Sequence, residues 1–353
     1  MVQKIEKVIA KTFYNEIFSS VERFIGRNHS QIKVSKCNLD DINFISLDDF
    51  EVRRILSTHR LGHKLKSYLQ VVASVEAKGR NRYGYESDDG EIWITISVSY
   101  RLEDGFKEFR VEGVTLTDDD QIPESEFTAD FVPIINSKGL DRISNLILND
   151  HQPEALESPR PLDIPSFLDS VGVEIVEAKV SPDKSIFGEI VFKKTTIEIF
   201  DEQNMPQPLE VSKGTIVVDP SIKDFRNQGS YNNTVVHEIV HWLLHRNYQE
   251  CRMITEVGSK ATFVDNPNID SNNWTQDDWM EWHANSIAPR LLMPKKTTKQ
   301  KVNELFTDYS LKYTADQRIN MFEQIIDDLA EFFQVSRLAA KIRLQQLGYN
   351  EFE

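Results

Sequence analysis

The chain has 353 residues, 40% of them hydrophobic, and a formal net charge of -15. That length exceeds one typical domain and predicts two, each able to bury a core. The acidic balance argues against a general nucleic-acid binder, which needs a basic footprint, and two distant cysteines, Cys37 and Cys251, form neither a disulfide framework nor a metal motif.

In chain order, Ile5, Val8, Ile9, Phe13, Ile17, Val21 and Phe24 recur at helical spacing and predict an opening helix that stops at Gly26 and buries its face on its own domain. Lys4, Glu6, Lys7 and Lys11 interrupt any apolar run that would read as a secretion signal. No stretch reaches the length of a bilayer span, so the expected location is cytoplasmic, with no membrane partner. Leu69 to Ala77 reads as a strand, and Ile92, Ile94, Ile96, Val98 and Tyr100 alternate with Trp93, Thr95, Ser97 and Ser99 as a half-buried strand does. Glu103-Asp104-Gly105 predicts a hairpin turn into Phe106 to Val114. The stretch from Gly79 to Gly90, with Arg80, Arg82, Tyr83, Tyr85, Asp88 and Asp89, reads as an exposed hairpin connection. These elements predict an antiparallel sheet with helices on one side.

Asp118-Asp119-Asp120 reads as a solvated loop, because the other positions of a calcium site are missing. Pro153, Pro159, Pro161 and Pro165 resist regular structure and predict a domain boundary near Asp150. Beyond it, Phe187 to Phe192, Thr196 to Phe200 and Gly214 to Asp219 read as short strands.

The chemistry concentrates in His237-Glu238-Ile239-Val240-His241. Ser230, Asn232 or Asn233 can cap a helix whose apolar stripe is Val235, Val236, Ile239, Val240, Leu243 and Leu244. Four-residue spacing puts both imidazoles on one helix face, where two neutral nitrogens reach one divalent cation. Glu238, rotated roughly 100° from His237, sits at the edge of that face and can accept a proton from an attacking water. Thr234, one turn before His237, shares the face. His245 continues the spacing but lies about 12 Å along the axis from His237, too far to share the ion. It reads as a packing residue or as support behind a ligand.

Two histidines are too few, and catalytic zinc sites add a third His or carboxylate. Glu281 is the leading candidate, because Ala284, Asn285 and Ala288 line the same side of its helix and allow a close approach to a neighbour. A solvated acid is the plain alternative; His283, Glu250 and Glu256 are rival ligands. Tyr231 and His283 are candidates for stabilising an oxyanion.

His237 to His245, ending in Leu243-Leu244-His245, followed by Glu281-Trp282-His283-Ala284-Asn285-Ser286-Ile287-Ala288 and Leu291-Leu292-Met293-Pro294, resembles the ImmA/IrrE family of zinc metallopeptidases. The resemblance runs from about Pro153 to Tyr349 and is strongest from Gly214 to Pro294. It implies that His237, His241 and Glu281 bind Zn2+ and that Glu238 is the general base. The fold it implies is α+β: a zincin-like metallopeptidase domain with a small sheet and a C-terminal helical bundle, preceded by a separate α+β N-terminal domain rich in antiparallel strands. The expected divisions are 1–150 for the N-terminal domain, 151–310 for the peptidase domain and 311–353 for C-terminal helices packed on it. The implied substrate is a specific intracellular protein such as a helix-turn-helix transcriptional repressor. Departures are Val240 in place of Gly, Ile287 in place of an aromatic residue, and Pro289, which is expected to kink its helix after the ligand.

Leu329 to Gly348 also resembles a helix-turn-helix. Arg337, Lys341 and Arg343 are its candidate phosphate contacts, opposed by Asp327, Asp328 and Glu331. The alternative function is therefore a non-proteolytic regulator that binds DNA or a repressor and uses the metal for structure.

Overall fold

The computed structural model describes residues 3–117, 122–256, 274–310, 312–313 and 317–349, so the Asp118-Asp119-Asp120 cluster lies outside the described residues. Two helices open the chain, α1 (Ile5–Thr12) and α2 (Tyr14–Asn28), followed by β1 (Asp41–Leu61), β2 (Lys64–Asn81), β3 (Gly84–Leu102) and β4 (Phe106–Leu116). Next come α3 (Leu140–His151), α4 (Glu154–Glu157), α5 (Ile164–Val171), β5 (Glu174–Glu177), β6 (Gly188–Ile190), β7 (Thr195–Phe200), β8 (Pro206–Val211) and β9 (Thr215–Val218). The rest is helical: α6 (Ser221–Phe225), α7 (Gln228–Leu244), α8 (Arg246–Thr255), α9 (Gln276–Leu292), α10 (Lys295–Ser310), α11 (Arg318–Phe332) and α12 (Arg337–Gln346). The fold is α+β, with an antiparallel sheet near the N-terminus and a helical C-terminal region, as the sequence predicts. Among the described residues no helix is long and apolar enough to cross a membrane.

The chain divides into two compact units, one of Met1–Ile134 with Asn247–Ser259 and one of Ile135–Arg246 with Lys260–Glu353. The division falls at Ile134, ahead of the proline-rich stretch at 153–165, which lies inside the second unit.

In the first unit β1 to β4 form an antiparallel meander in sequence order. Ile92, Ile94, Ile96, Val98 and Tyr100 are all buried, in one core with Ile5, Ile9, Ile17, Val21 and Ile25 of the two helices. Each such side chain contributes roughly 1.5–3 kcal/mol on burial. The opening helix is interrupted at Phe13 (φ -117°, ψ 32°) and runs past Gly26 to Asn28. Phe13 stacks on Phe109 at 3.7 Å between ring centroids, so tertiary packing sets the break, while Gly26 costs only about 1 kcal/mol of helix propensity. Residues 79–90 form a largely exposed hairpin, as expected, in which all but the turn at Arg82-Tyr83 is paired strand, with Gly79 opposite Glu86 and Asn81 opposite Gly84. Gly79 is required there, because a Cβ would lie 2.1 Å from the Asp41 carbonyl oxygen. The turn at Glu103-Asp104-Gly105 is as expected, with positive φ at Asp104 and Gly105.

In the second unit β9 is the centre of a three-stranded sheet, parallel to β5 and antiparallel to β6. β7 and β8 make a separate hairpin. The tail helices share the core of α7 through Phe322, Ile326, Leu329, Phe333 and Leu344. Arg343, one of the three candidate phosphate contacts, is 1% exposed. It donates to the Met293 carbonyl at 3.0 Å and to Asp141 at 2.7 Å, so it is a core residue. Arg337 is paired with Asp327 and Glu323.

The first turn of α7 sits directly on the turn between α11 and α12. Asn232 donates to the Gln334 carbonyl at 2.9 Å, and a Cβ at Gly229 would lie 2.1 Å from the Val335 carbonyl carbon. Since that obstacle is backbone, Gly229→Ala must separate the two elements at a cost of about 2 kcal/mol or more. Thermal unfolding should move down by several degrees, and an unchanged melting temperature would contradict this packing.

Candidate metal centre

The cap of α7 is Asn227, whose side chain accepts from the Ser230 backbone at 2.8 Å; the predicted caps Ser230, Asn232 and Asn233 lie within the helix instead. Helix α7 is buried on nearly all sides, with Val235, Val236, Ile239 and Val240 fully enclosed. Helix α9 starts in a capping box between Thr275 and Asp278. Ala284 and Ala288 are fully buried, consistent with the predicted close approach, but Asn285 is exposed. Pro289 lies inside α9, which continues to Leu292.

This packing brings His237, His241 and Glu281 together. The Nε2 atoms of His237 and His241 are 3.0 Å apart. Glu281 places Oε2 at 3.3 Å from His237 Nε2 and Oε1 at 3.2 Å from His241 Nε2. A tetrahedral ion with bonds near 2.0–2.1 Å needs ligand atoms about 3.3 Å apart. The three residues are buried, and their ligand atoms lie within 4.8 Å of one another. Glu281 Oε2 is enclosed with the His237 ring 3.3 Å away, and a buried carboxylate oxygen of this kind is stabilised by a facing cation. Burial pushes the Glu281 carboxyl up, but hydrogen bonds and charge from His237 and His241 outweigh this and hold it well below the usual carboxylate range. The group is thus an anion facing two imidazoles, a donor set that fits a divalent metal.

The rival ligands are used elsewhere. Glu250 accepts from the Asp104 backbone at 2.9 Å, Glu256 pairs with Arg252 at 3.3 Å, and His283 contacts His245. His245 caps the end of α7 and its Nδ1 lies 3.0 Å from His241 Nδ1, on the side of the ring away from His237. The Tyr231 hydroxyl donates to Glu177 at 2.9 Å, and His283 lies behind His245, so neither oxyanion candidate has a free group aimed at the cluster. The sequence reading also missed Gly188 in β6. A Cβ there would stand 2.6 Å from Thr234 Cγ2 and 3.2 Å from Glu238 Oε1, so the strand runs hard against the edge of the histidine face.

Burial lowers the pKa of His245, helped by the charges of His241 and His283. Burial, then His241, push His283 down to about 4, against the Ile135 carbonyl. The unfolded chain therefore binds protons below about pH 6.5 that the folded chain refuses. Stability rises with pH through this window and is lost as pH falls. The melting temperature of chelator-treated protein should drop between pH 7 and pH 5, above the range where ordinary carboxylates titrate, and a flat profile would contradict the buried neutral pair.

No curated protein and no solved structure matches the chain. Residues 222–345, about a third of its length, match the IrrE N-terminal-like domain. The match begins in α6 and ends in α12, and the peptidase family it names supports a metallopeptidase-type function. This segment, which holds both candidate ligand helices, is similar to the IrrE N-terminal-like domain of the M78 peptidases.

Proposed function

We propose that the second unit is a zinc-dependent endopeptidase, with His237, His241 and Glu281 as metal ligands and Glu238 as general base. The observation that carries this reading is the convergence of two Nε2 atoms and one buried carboxylate at 3.0–3.3 Å, beside a further carboxylate. Zinc suits the His2Glu donor set, and when bound it would polarise a substrate carbonyl and lower the pKa of water to about 7. Glu238, 6% exposed and one residue from His237, takes the proton of the attacking water and delivers it to the leaving amine nitrogen. A metal held only for structure needs no such base.

The strand β6 supplies the substrate surface. It pairs with β9 on one side, and among the described residues no strand pairs with its other side. An extended peptide can add there through main-chain hydrogen bonds. Gly188 leaves the contact between that strand and the Glu238 side chain free of a Cβ. The substrate class that follows from the family resemblance is a specific intracellular protein such as a transcriptional repressor.

Glu238→Gln should retain zinc while proteolysis falls by roughly 10²–10⁴, measured by metal analysis beside a cleavage assay on repressor substrates. Unchanged biological activity in that variant would favour a regulator that acts by binding. Gly188→Ala, whose methyl must displace Thr234 or Glu238, should lower cleavage with metal content unchanged. Full activity in Gly188→Ala would remove β6 from the substrate surface.

A further inference from the structure

Behind the candidate ligands lies a second set of imidazoles that the proposed hydrolysis does not use. His241 turns Nε2 toward His237 and Glu281 and Nδ1 toward His245 Nδ1 at 3.0 Å. His245 Nε2 then meets His283 Nδ1 at 3.3 Å. The rings of His245 and His283 stack at 5.5 Å with an interplanar angle of 21°. His241, His245 and His283 are each at most 1% exposed, so water does not stand in for these contacts.

Each imidazole has two ring nitrogens, and a neutral ring carries one proton. When His241 gives the Nε2 lone pair to an ion, its single proton stays on Nδ1, so the contact with His245 has only one sense. His241 Nδ1–H donates, His245 Nδ1 accepts, and the His245 proton is forced onto Nε2. That N–H donates to His283 Nδ1, which forces the last proton onto His283 Nε2; the Ile135 carbonyl is the other group that bonds this ring. The chain of three rings is therefore directional, and its direction is set at the ligand end.

We propose that His245 and His283 are positioning residues of the metal centre, fixing the orientation and tautomer of His241 through this directional chain of neutral rings. The proposal rests on the metal-site reading above and deepens it. A metal-bound histidine ordinarily donates its second N–H to a carboxylate, a carbonyl or water; a neutral imidazole does the same without adding another negative charge beside Glu281. The arrangement also lets α9 hold His241 twice, from the front through Glu281 and from behind through His283, two residues later. Rotation of the His241 ring away from the ion then breaks contacts on both sides.

Competition with a chromogenic zinc chelator tests this on the purified full chain. His245→Leu removes the acceptor and should weaken zinc binding 10–100-fold. His245→Asn, which keeps an acceptor oxygen near the Nδ1 position, should stay within a few-fold of wild type. His283→Leu should have a smaller effect, and the double variant His245→Leu/His283→Leu should be no weaker than His245→Leu alone, because one chain is cut twice. Wild-type affinity in His245→Leu, or equal loss in His245→Leu and His245→Asn, would overturn the positioning role. Failure of the wild-type chain to bind zinc would instead remove the metal site itself, and this proposal with it. Because His245→Leu could fail to fold, histidine ring-nitrogen NMR on the zinc-loaded wild type gives an independent reading. Protons on His241 Nδ1, His245 Nε2 and His283 Nε2 are expected, and a proton on His245 Nδ1 would overturn the chain.

Discussion

The site depends on how closely α9 lies against α7. A metal triad drawn from two helices requires their axes near enough for a glutamate on one to reach imidazoles on the other. Helices approach to 8–10 Å according to the side chains at the contact. The fully buried Ala284 and Ala288, one and two turns beyond Glu281, are what the close limit requires. A larger residue at either position would push Glu281 out of the 3.2–3.3 Å separations it now has. The capping box at Thr275 and Asp278 starts α9 just ahead of the candidate ligand, which fixes the register from which Glu281 projects.

That closeness has an electrostatic consequence. His237, Glu238, His241, His245, Glu281 and His283 are all buried, an unusual load of ionisable groups for the middle of a core. Buried charges are tolerated when paired or bound to a metal, and buried polar groups when hydrogen-bonded. The cluster meets these conditions by keeping the two outer histidines neutral and setting one carboxylate against the front pair. That carboxylate, Glu281, is enclosed with both oxygens turned to the imidazoles and is the residue best suited to contact a cation. Core packing around α7 and the chemistry of its polar face are therefore one constraint: Ile239 and Val240 are buried on the same helix as His237 and His241.

Periodicity made some of this legible in the sequence. The alternation at Ile92 to Tyr100 was readable because one face is apolar and the spacing reveals which; Gly214 to Asp219 was readable as a short continuous apolar run, buried on both faces, and the histidine helix by its apolar stripe and the four-residue spacing of its imidazoles. The long β1 was missed, as was the continuation of β2 and β3 through Gly79 to Gly90. The first is rich in charge and the second in charge and glycine, and their pairing is fixed by register with a neighbour rather than by a hydrophobic pattern. Asn227 was overlooked as the cap of α7 because Gly229, two residues on, is a poor helix signal, yet Gly229 is there to meet the Val335 backbone. Arg343 shows the same limit from the other side. Its spacing on an amphipathic helix suggested a phosphate contact, and only the tertiary fold reveals Asp141 and the Met293 carbonyl waiting for it.

The division of the chain was the least readable feature, for a reason rooted in its path. After His245 the chain enters α8, and residues 247–259 belong to the first unit. Cys251 is part of that unit's core, and the Thr255 carbonyl accepts a hydrogen bond from Gln3 at 3.0 Å. A fragment cut at Ile134 or at Asp150 would lack these contacts, and Cys251 would leave a gap in a packed interior. The loss falls between the two segments that carry the candidate ligands, since His241 lies before α8 and Glu281 after it. Composition marks boundaries where the chain leaves one core for the next. Here it leaves a core, returns to an earlier one and comes back, and prolines at 153–165 carry no record of that path.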